Sequence, residues 1–221
     1  MSDLTNATRH FTLIRSKDAG PFMLTLDLFF VDAATREAFV SAGVFTADRI
    51  GELYGALLQT MQQAKQLGVK GRYDRLAPVL AETYDIPTMS RAAVGQSWGT
   101  LDPTQQAGII DAFTRMMIAN YANQFDGFSG ERFEIVQTVD RAPADKLVKT
   151  RLVQASGKTV ALDYLMRNSG GKWKAVDVYL DGTISELASR RAEFGAILKS
   201  GGPNALIDSL RRQGDKLLAG A

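Results

Sequence analysis

The sequence predicts an α+β fold: a curved antiparallel four-stranded sheet covered by helices, with a short N-terminal β-β-α appendage. Three observations carry this. From Thr46 to Tyr121 apolar residues recur every three or four positions. After Gly130 the period falls to two, in runs separated by glycine-bearing turns. Beyond Ile184 the helical period returns. Helices, then a meander, then helices again is the pattern of helices layered on one face of a sheet.

The elements follow in order. Residues 11–15 and 22–31 are rich in Phe, Leu, Ile and Thr around the turn-prone Lys17-Asp18-Ala19-Gly20-Pro21, which predicts two strands. A short helix is expected from Ala33 to Ser41, stopped by Gly43. Thr46 reads as an N-cap before Ile50, Leu53, Tyr54, Leu57, Leu58 and Met61, an amphipathic helix reaching Gly68. Arg72 to Tyr84 predicts a second helix, kinked at Pro78, and Asp85 to Val94 a third. Asp102-Pro103 is an N-cap followed by proline at the first helical position. It opens a long helix that buries Ile109, Phe113, Met116, Met117 and Tyr121.

Glu131–Val139, Lys146–Ala155, Lys158–Arg167 and Lys172–Leu180 read as four strands. Ala155-Ser156-Gly157-Lys158 and Asn168-Ser169-Gly170-Gly171 are hairpin turns in which glycine supplies positive φ. Turns this short require antiparallel neighbours. Ile184–Ser200 and Pro203–Leu218 read as two helices parted by Gly201-Gly202. Asp181-Gly182 makes the strand-to-helix turn, with Asp181 or Thr183 as the expected cap. The chain therefore divides into residues 1–45, an appendage, and 46–221, the main domain.

Composition narrows function. The 221 residues contain no cysteine and one histidine, His10, which removes thiol nucleophiles, disulfides and multi-histidine metal centres. Twenty-six basic against 24 acidic residues is too even to argue for nucleic acid. No run reaches the roughly 20 apolar residues of a membrane span. Pro21–Val31 is apolar but short, interrupted by Thr25 and Asp27, and does not read as a signal peptide. That start predicts a cytoplasmic protein if it is native.

Val176-Asp-Val-Tyr-Leu-Asp-Gly-Thr-Ile-Ser-Glu-Leu-Ala-Ser-Arg-Arg-Ala-Glu-Phe194 carries a family resemblance. So do Tyr121-Ala-Asn-Gln-Phe125, Gly127-Phe-Ser-Gly130, Leu162-Asp-Tyr-Leu165 with Gly170-Gly-Lys-Trp173, and Gly201-Gly202 with Leu206 and Leu210. In this order, over residues 52–217, they resemble the MlaC / toluene-tolerance family of periplasmic lipid carriers. The branch they resemble is the hopanoid-associated one, HpnM. The resemblance implies a non-enzymatic periplasmic shuttle without cofactor. Its cargo would be a phospholipid or hopanoid-type lipid, held by its apolar part between sheet and helices. Its partners would be an MCE-domain/ABC transporter and an outer-membrane lipoprotein complex, with transient membrane contact and a monomeric carrier. Residues 11–55, with Ile14-Arg-Ser-Lys-Asp-Ala-Gly-Pro-Phe22 as the clearest patch, resemble part of a different family. That is a small uncharacterised domain found with acyclic-terpene-utilisation proteins, which makes the chain a hybrid.

A lipid carrier needs an apolar cavity with a wet mouth, because an unpaired phosphate is prohibitive to bury. The expected strand lining is Phe133, Ile135, Val148, Leu152, Val160, Leu162, Tyr164, Val176, Val178 and Leu180. The expected helical lining is Leu57, Met61, Leu80, Trp98, Phe113, Met117 and Tyr121, with Met61, Met116 and Met117 as an adaptable wall. Periodicity alone reads these equally as a filled core; the resemblance favours a hollow one. Arg190 and Arg191 are the candidates for an anionic headgroup, or else they pair with acidic neighbours. Two other functions are compatible with the residues. Asp163, Tyr164 and Asp177 would furnish acid/base groups for a small-molecule enzyme on a cone-shaped fold, or residues 1–50 would form a protein-binding module.

Overall fold

The computed structural model describes residues 11–18, 24–30, 32, 46–141 and 144–220. The chain divides into two units, one holding the N-terminal hairpin and the other nearly all of the chain from residue 46 on. In the first, β1 (Phe11–Asp18) pairs antiparallel with β2 (Leu24–Phe30), with a register shift between Leu13 and Arg15. The helix expected over Ala33–Ser41 lies outside the described residues.

The second unit opens with α1 (Thr46–Gln62) and α2 (Ala64–Thr83). The amphipathic run does not continue smoothly to Gly68. It breaks first at Gln63, then again at Gly68, whose φ of 63° and ψ of 178° only glycine adopts readily. Pro78, the expected kink, sits inside α2 without non-helical angles. The break falls at glycine because that residue alone has no Cβ to clash. Arg72 stitches the broken region to the rest of the bundle. Its buried guanidinium donates to the carbonyls of Ala122 (2.7 Å) and Ala64 (3.0 Å). Helix ends leave such carbonyls without intrahelical partners.

α3 (Ile86–Val94) is capped by Asp85, whose carboxylate accepts from the Thr88 amide, with proline in its first turn. A 3-10 segment, Gly95–Thr100, leads to α4 (Pro103–Gln124). The Asp102 start signal holds: Asp102 and Gln105 form a reciprocal capping box.

Then come β3 (Arg132–Arg141), β4 (Asp145–Val153), β5 (Thr159–Ser169), β6 (Lys172–Leu180) and β7 (Ile184–Ser185), hydrogen-bonded in that order. The sheet thus has five strands rather than four. The fifth is two residues that sequence pattern assigns to the helix, pulled into pairing by Tyr179↔Ser185 and Leu180↔Ile184. Gly157, Gly170 and Gly171 take positive φ at the hairpin turns, as expected. α5 (Glu186–Leu218) spans both expected C-terminal helices and breaks inside at Gly202 (φ 73°, ψ −172°).

The core lies between the sheet and the helices, with Leu53, Leu57, Leu76, Leu80, Ile109, Phe194, Leu206 and Leu210 essentially inaccessible. α4 and α5 cross closely. A Cβ on Gly108 would lie 2.9 Å from Ile207 Cδ1, and one on Gly214 would lie 3.4 Å from the Met116 backbone. Tyr84 and Asp85 join the helical layer to the sheet: Tyr84 bridges Ala175 in parallel, and the Asp85 amide donates to the Ala175 carbonyl at 2.9 Å.

Candidate functional site: an apolar cavity with a charged rim

Sheet register decides which residues can face the helices. Val148 opposes Tyr164, Thr150 opposes Leu162, and Leu152 opposes Val160, so these share one face. Asp163 and Asp177 alternate onto the other face. On the helical side, Phe113, Met117, Asn120, Tyr121 and Gln124 fall at i, i+4, i+7, i+8 and i+11, one stripe of α4.

These surfaces do not meet solidly. They leave a cavity of about 280 Å³. Phe113, Met116, Met117 and Tyr121 of α4 form one wall, with Met89 of α3 and Tyr84 beside them. Leu162 and Tyr164 of β5 and Val178 and Leu180 of β6 form the other. Glu186, Leu187 and Arg190 from the first turns of α5, together with Asn120, Gln124 and Phe125, complete it. Phe194, fully buried, meets Phe113 edge-on at 5.5 Å and fixes the α5 segment against that wall.

The inner end is aromatic. Tyr54 stacks on Phe133 at 4.3 Å and meets Tyr164 edge-on at 6.0 Å; Tyr84 lies 6.4 Å from Tyr164 and 6.1 Å from Tyr121. The hydroxyls are paired. Thr150 donates to the Leu162 carbonyl, so Tyr54 donates to Thr150 Oγ1; Tyr84 and Tyr121 bond to each other. Desolvation pushes the Tyr54 phenol up to about 12 and also raises Tyr84, Tyr121 and Tyr164. These phenols therefore stay protonated at neutral pH, offering dipoles and apolar ring faces rather than charge.

Of the residues expected to line a cavity, Phe113, Met117, Tyr121, Leu162, Tyr164, Val178 and Leu180 come together here, and Arg190 stands among them. Leu57, Leu80, Val148 and Val176 are buried elsewhere in the core. Trp98 packs on the core's margin, and Phe133 stands behind Tyr54. Leu152 and Val160 are half-buried and do not border the space, and Ile135 is 41% exposed. β3 is an edge strand whose Ile135 lies against α1 near Gly51, but that helix covers it only in part. Met61 borders a separate shallow hollow with Gly127 and Phe128. Arg191 lies away from the cavity, its guanidinium against Gly95 at the end of α3.

The structure adds Tyr84, Met89, Asn120, Gln124, Phe125, Glu186 and Leu187 to the lining. Asn120 and Gln124 were findable from the helical stripe through Phe113 and Met117. Glu186 and Leu187 were not, because their direction depends on where α5 starts.

Asp163 and Asp177 are buried but structural. Asp163 accepts from the Thr150 amide at 3.3 Å. Asp177 accepts from the amides of Val178 (2.8 Å) and Leu187 (3.0 Å) and from the Ser185 hydroxyl (2.6 Å). Neither borders the cavity. Ser185, assisted by Asp177, is the cap of the last helix, in place of Asp181 or Thr183. Asp181 instead takes a positive φ of 49° in the turn.

No curated protein matches the chain. Among solved structures, a phospholipid-binding protein from Ralstonia solanacearum, determined in complex with a phospholipid, aligns with a TM-score of 0.68 at 20% identity. The alignment covers 77% of this chain and 97% of that one, and at this identity it shows a shared fold. A domain of unknown function, DUF4387, matches residues 9–81. The family model described as MlaC protein matches residues 52–212, most of the chain and all of the cavity-bearing unit's centre, and the chain accordingly belongs to the MlaC family.

Proposed function

We propose that this protein is a non-enzymatic lipid carrier. It holds the apolar part of a phospholipid or hopanoid-type lipid in the cavity between α4 and the β5–β6 strands. The observation that supports this most is the distribution of polarity. The walls are Phe, Met, Leu, Val and tyrosine ring faces, and the charged groups stand together on α5, at the edge. A buried acyl segment of a dozen methylenes gains roughly 10 kcal/mol before association costs, which is enough for retention without covalent or ionic anchoring in the interior.

At about 280 Å³ the space is at the small end of ligand sites, which run from about 300 to 1,000 Å³. A two-chain lipid requires its walls to part. Met89, Met116 and Met117 suit that, since the thioether chain changes shape at little cost. Arg190 meets the phosphate at the mouth. The carrier acts in the periplasm, exchanging cargo with an MCE-domain/ABC transporter and an outer-membrane lipoprotein complex. Residues 46–221 form the carrier domain, and residues 1–45 are an appendage of different origin.

Native mass spectrometry of the purified protein, followed by lipid extraction, tests the reading. Stoichiometric lipid in the wild-type protein is the expected result. Protein that stays lipid-free after incubation with phospholipid or hopanoid vesicles excludes it. Deleting residues 1–45 is expected to leave the bound lipid in place.

A further inference from the structure

The carrier reading leaves the choice of headgroup open, and the two charges on the first turns of α5 bear on it. Glu186 and Arg190 both border the cavity and stand four residues apart on α5. Residues so spaced lie on one helix face, with Cβ atoms about 5–6 Å apart. Glu preceding Arg in this way is also the favourable orientation for an intrahelical ion pair. The pair is not made. Arg190 turns instead to Glu193, donating from Nη1 to Oε2 at 2.9 Å, and Glu193 is itself held by the Gln213 amide at 2.8 Å. Glu186 has no hydrogen-bond or ion-pair partner among the described residues.

Each group thus keeps unused capacity. A guanidinium carries five N–H donors in a fixed fork, of which Glu193 takes one. Arg190 borders the cavity with one donor engaged, and a guanidinium fork with free donors is suited to a phosphate. The Glu186 carboxylate has all its acceptor sites open and lies close enough to Tyr121 to act on its phenol electrostatically. Asn120 and Gln124, on the facing stripe of α4, add amide groups to the same rim.

A cation beside an anion at one mouth is a poor receptor for a headgroup of a single sign. A lipid that is only anionic gains at Arg190 and is repelled at Glu186. A headgroup with a phosphate and a primary ammonium joined by two carbons satisfies both. We propose that Glu186 and Arg190 form a two-pronged site selecting phosphoethanolamine lipids over anionic phosphoglycerol lipids, with Arg190 on the phosphate and Glu186 on the ammonium. Glu186 is the specificity-determining residue, because it both attracts the amine and disfavours the competitor. This rests on the carrier reading above.

The test uses the full chain and vesicles containing equal amounts of phosphatidylethanolamine and phosphatidylglycerol with identical acyl chains. Protein is reisolated, and the ratio of the two lipids bound to it is read by mass spectrometry. The wild type should favour the ethanolamine lipid by about two- to fivefold, the effect of one partly exposed charge contact. Glu186→Gln should bring the ratio close to one, and Glu186→Lys should invert it, with circular dichroism melts confirming that both fold. A wild-type ratio near one, or a Glu186→Gln ratio equal to wild type, overturns the headgroup site while leaving the carrier intact. Wild-type protein that takes up neither lipid overturns the carrier reading and this site with it.

Discussion

The Ser185 hydroxyl donates to Asp177 Oδ2 at 2.6 Å, tying the cap of the last helix to the last long strand. The same carboxylate accepts from the Leu187 amide, so the first turn of α5 is held to β6 by one buried side chain. Because α5 starts with Glu186 and Leu187 and runs on to Arg190, all of which line the cavity, Asp177 sets the position of that wall without bordering the space.

Asp177→Ala should therefore hurt twice. It leaves the Leu187 amide, the Val178 amide and the Ser185 hydroxyl without their acceptor in a buried setting. The expected cost is about 3 kcal/mol. For a chain of this size that lowers Tm by roughly 10 °C. Asp177→Asn, which keeps one acceptor oxygen, should cost less. Differential scanning calorimetry reads both, and bound lipid should fall with Asp177→Ala even well below its Tm.

The buried phenols give the protein an alkaline limit. Tyr54 is raised to about 12, and Tyr84, Tyr121 and Tyr164 are raised as well, all chiefly by desolvation. Unfolded tyrosine ionises near pH 10. Above that pH the unfolded state sheds protons that the folded state retains, so stability falls as pH rises. It is undiminished below pH 10 and drops between pH 10 and 12. Each such phenol contributes up to about 1.4 kcal/mol per pH unit. Melts between pH 8 and 12 should show this slope, and Tyr54→Phe should flatten it by one phenol's share. Below about pH 11, phenolate absorbance from these four rings should appear only with unfolding.

Gly95 and Arg191 should behave as a coupled pair. Gly95 ends α3 with a φ of 68°, and a Cβ there would sit 3.3 Å from Arg191 Nε and Nη2. Gly95→Ala should cost about 1–2 kcal/mol from backbone strain alone, with the guanidinium contact added. Arg191→Ala in the Gly95→Ala background should recover only the contact part. A double-mutant cycle giving a coupling of about 0.5 kcal/mol or more is the expected outcome. Additive effects would show that Arg191 is free to swing away.

Legibility of the fold followed the range of the forces involved. The Asp102 capping box, the hairpin glycines and the four long strands are set by neighbours in sequence, and they were readable there. Gly68 and Gly202 sit in the same glycine-only region, and both are places where the sequence ends a helix; the earlier break at Gln63 was not expected, because no glycine or proline marks it. Gly202 has a second glycine before it and a proline after it, whereas Pro78, the expected kink, lies within α2 without a break. The cavity was legible where one periodic stripe decides direction, as on α4 with Phe113, Met117 and Tyr121. It was not legible where cover decides. Val148 and Val178 both sit on β-strands and point to the helical side, but Val148 is plugged by core and Val178 borders space. Ile135 alternates correctly toward α1, on an edge strand that this helix covers only in part.

Leu187 borders the cavity and is only half-buried, so Leu187→Trp can place its ring across the mouth with little overpacking. Tm should change by no more than a few degrees, within the roughly 1 kcal/mol expected of a tolerated apolar swap. Co-purified lipid should drop severalfold. Ile135→Trp adds the same bulk to a side chain that periodicity assigns to the lining and that the structure leaves exposed on β3. Its lipid content should match wild type. Equal loss in both variants would mean that the hydrocarbon lies along the β3 end of the sheet, not between α4, β5 and β6. Loss in Leu187→Trp alone fixes the mouth at the start of α5.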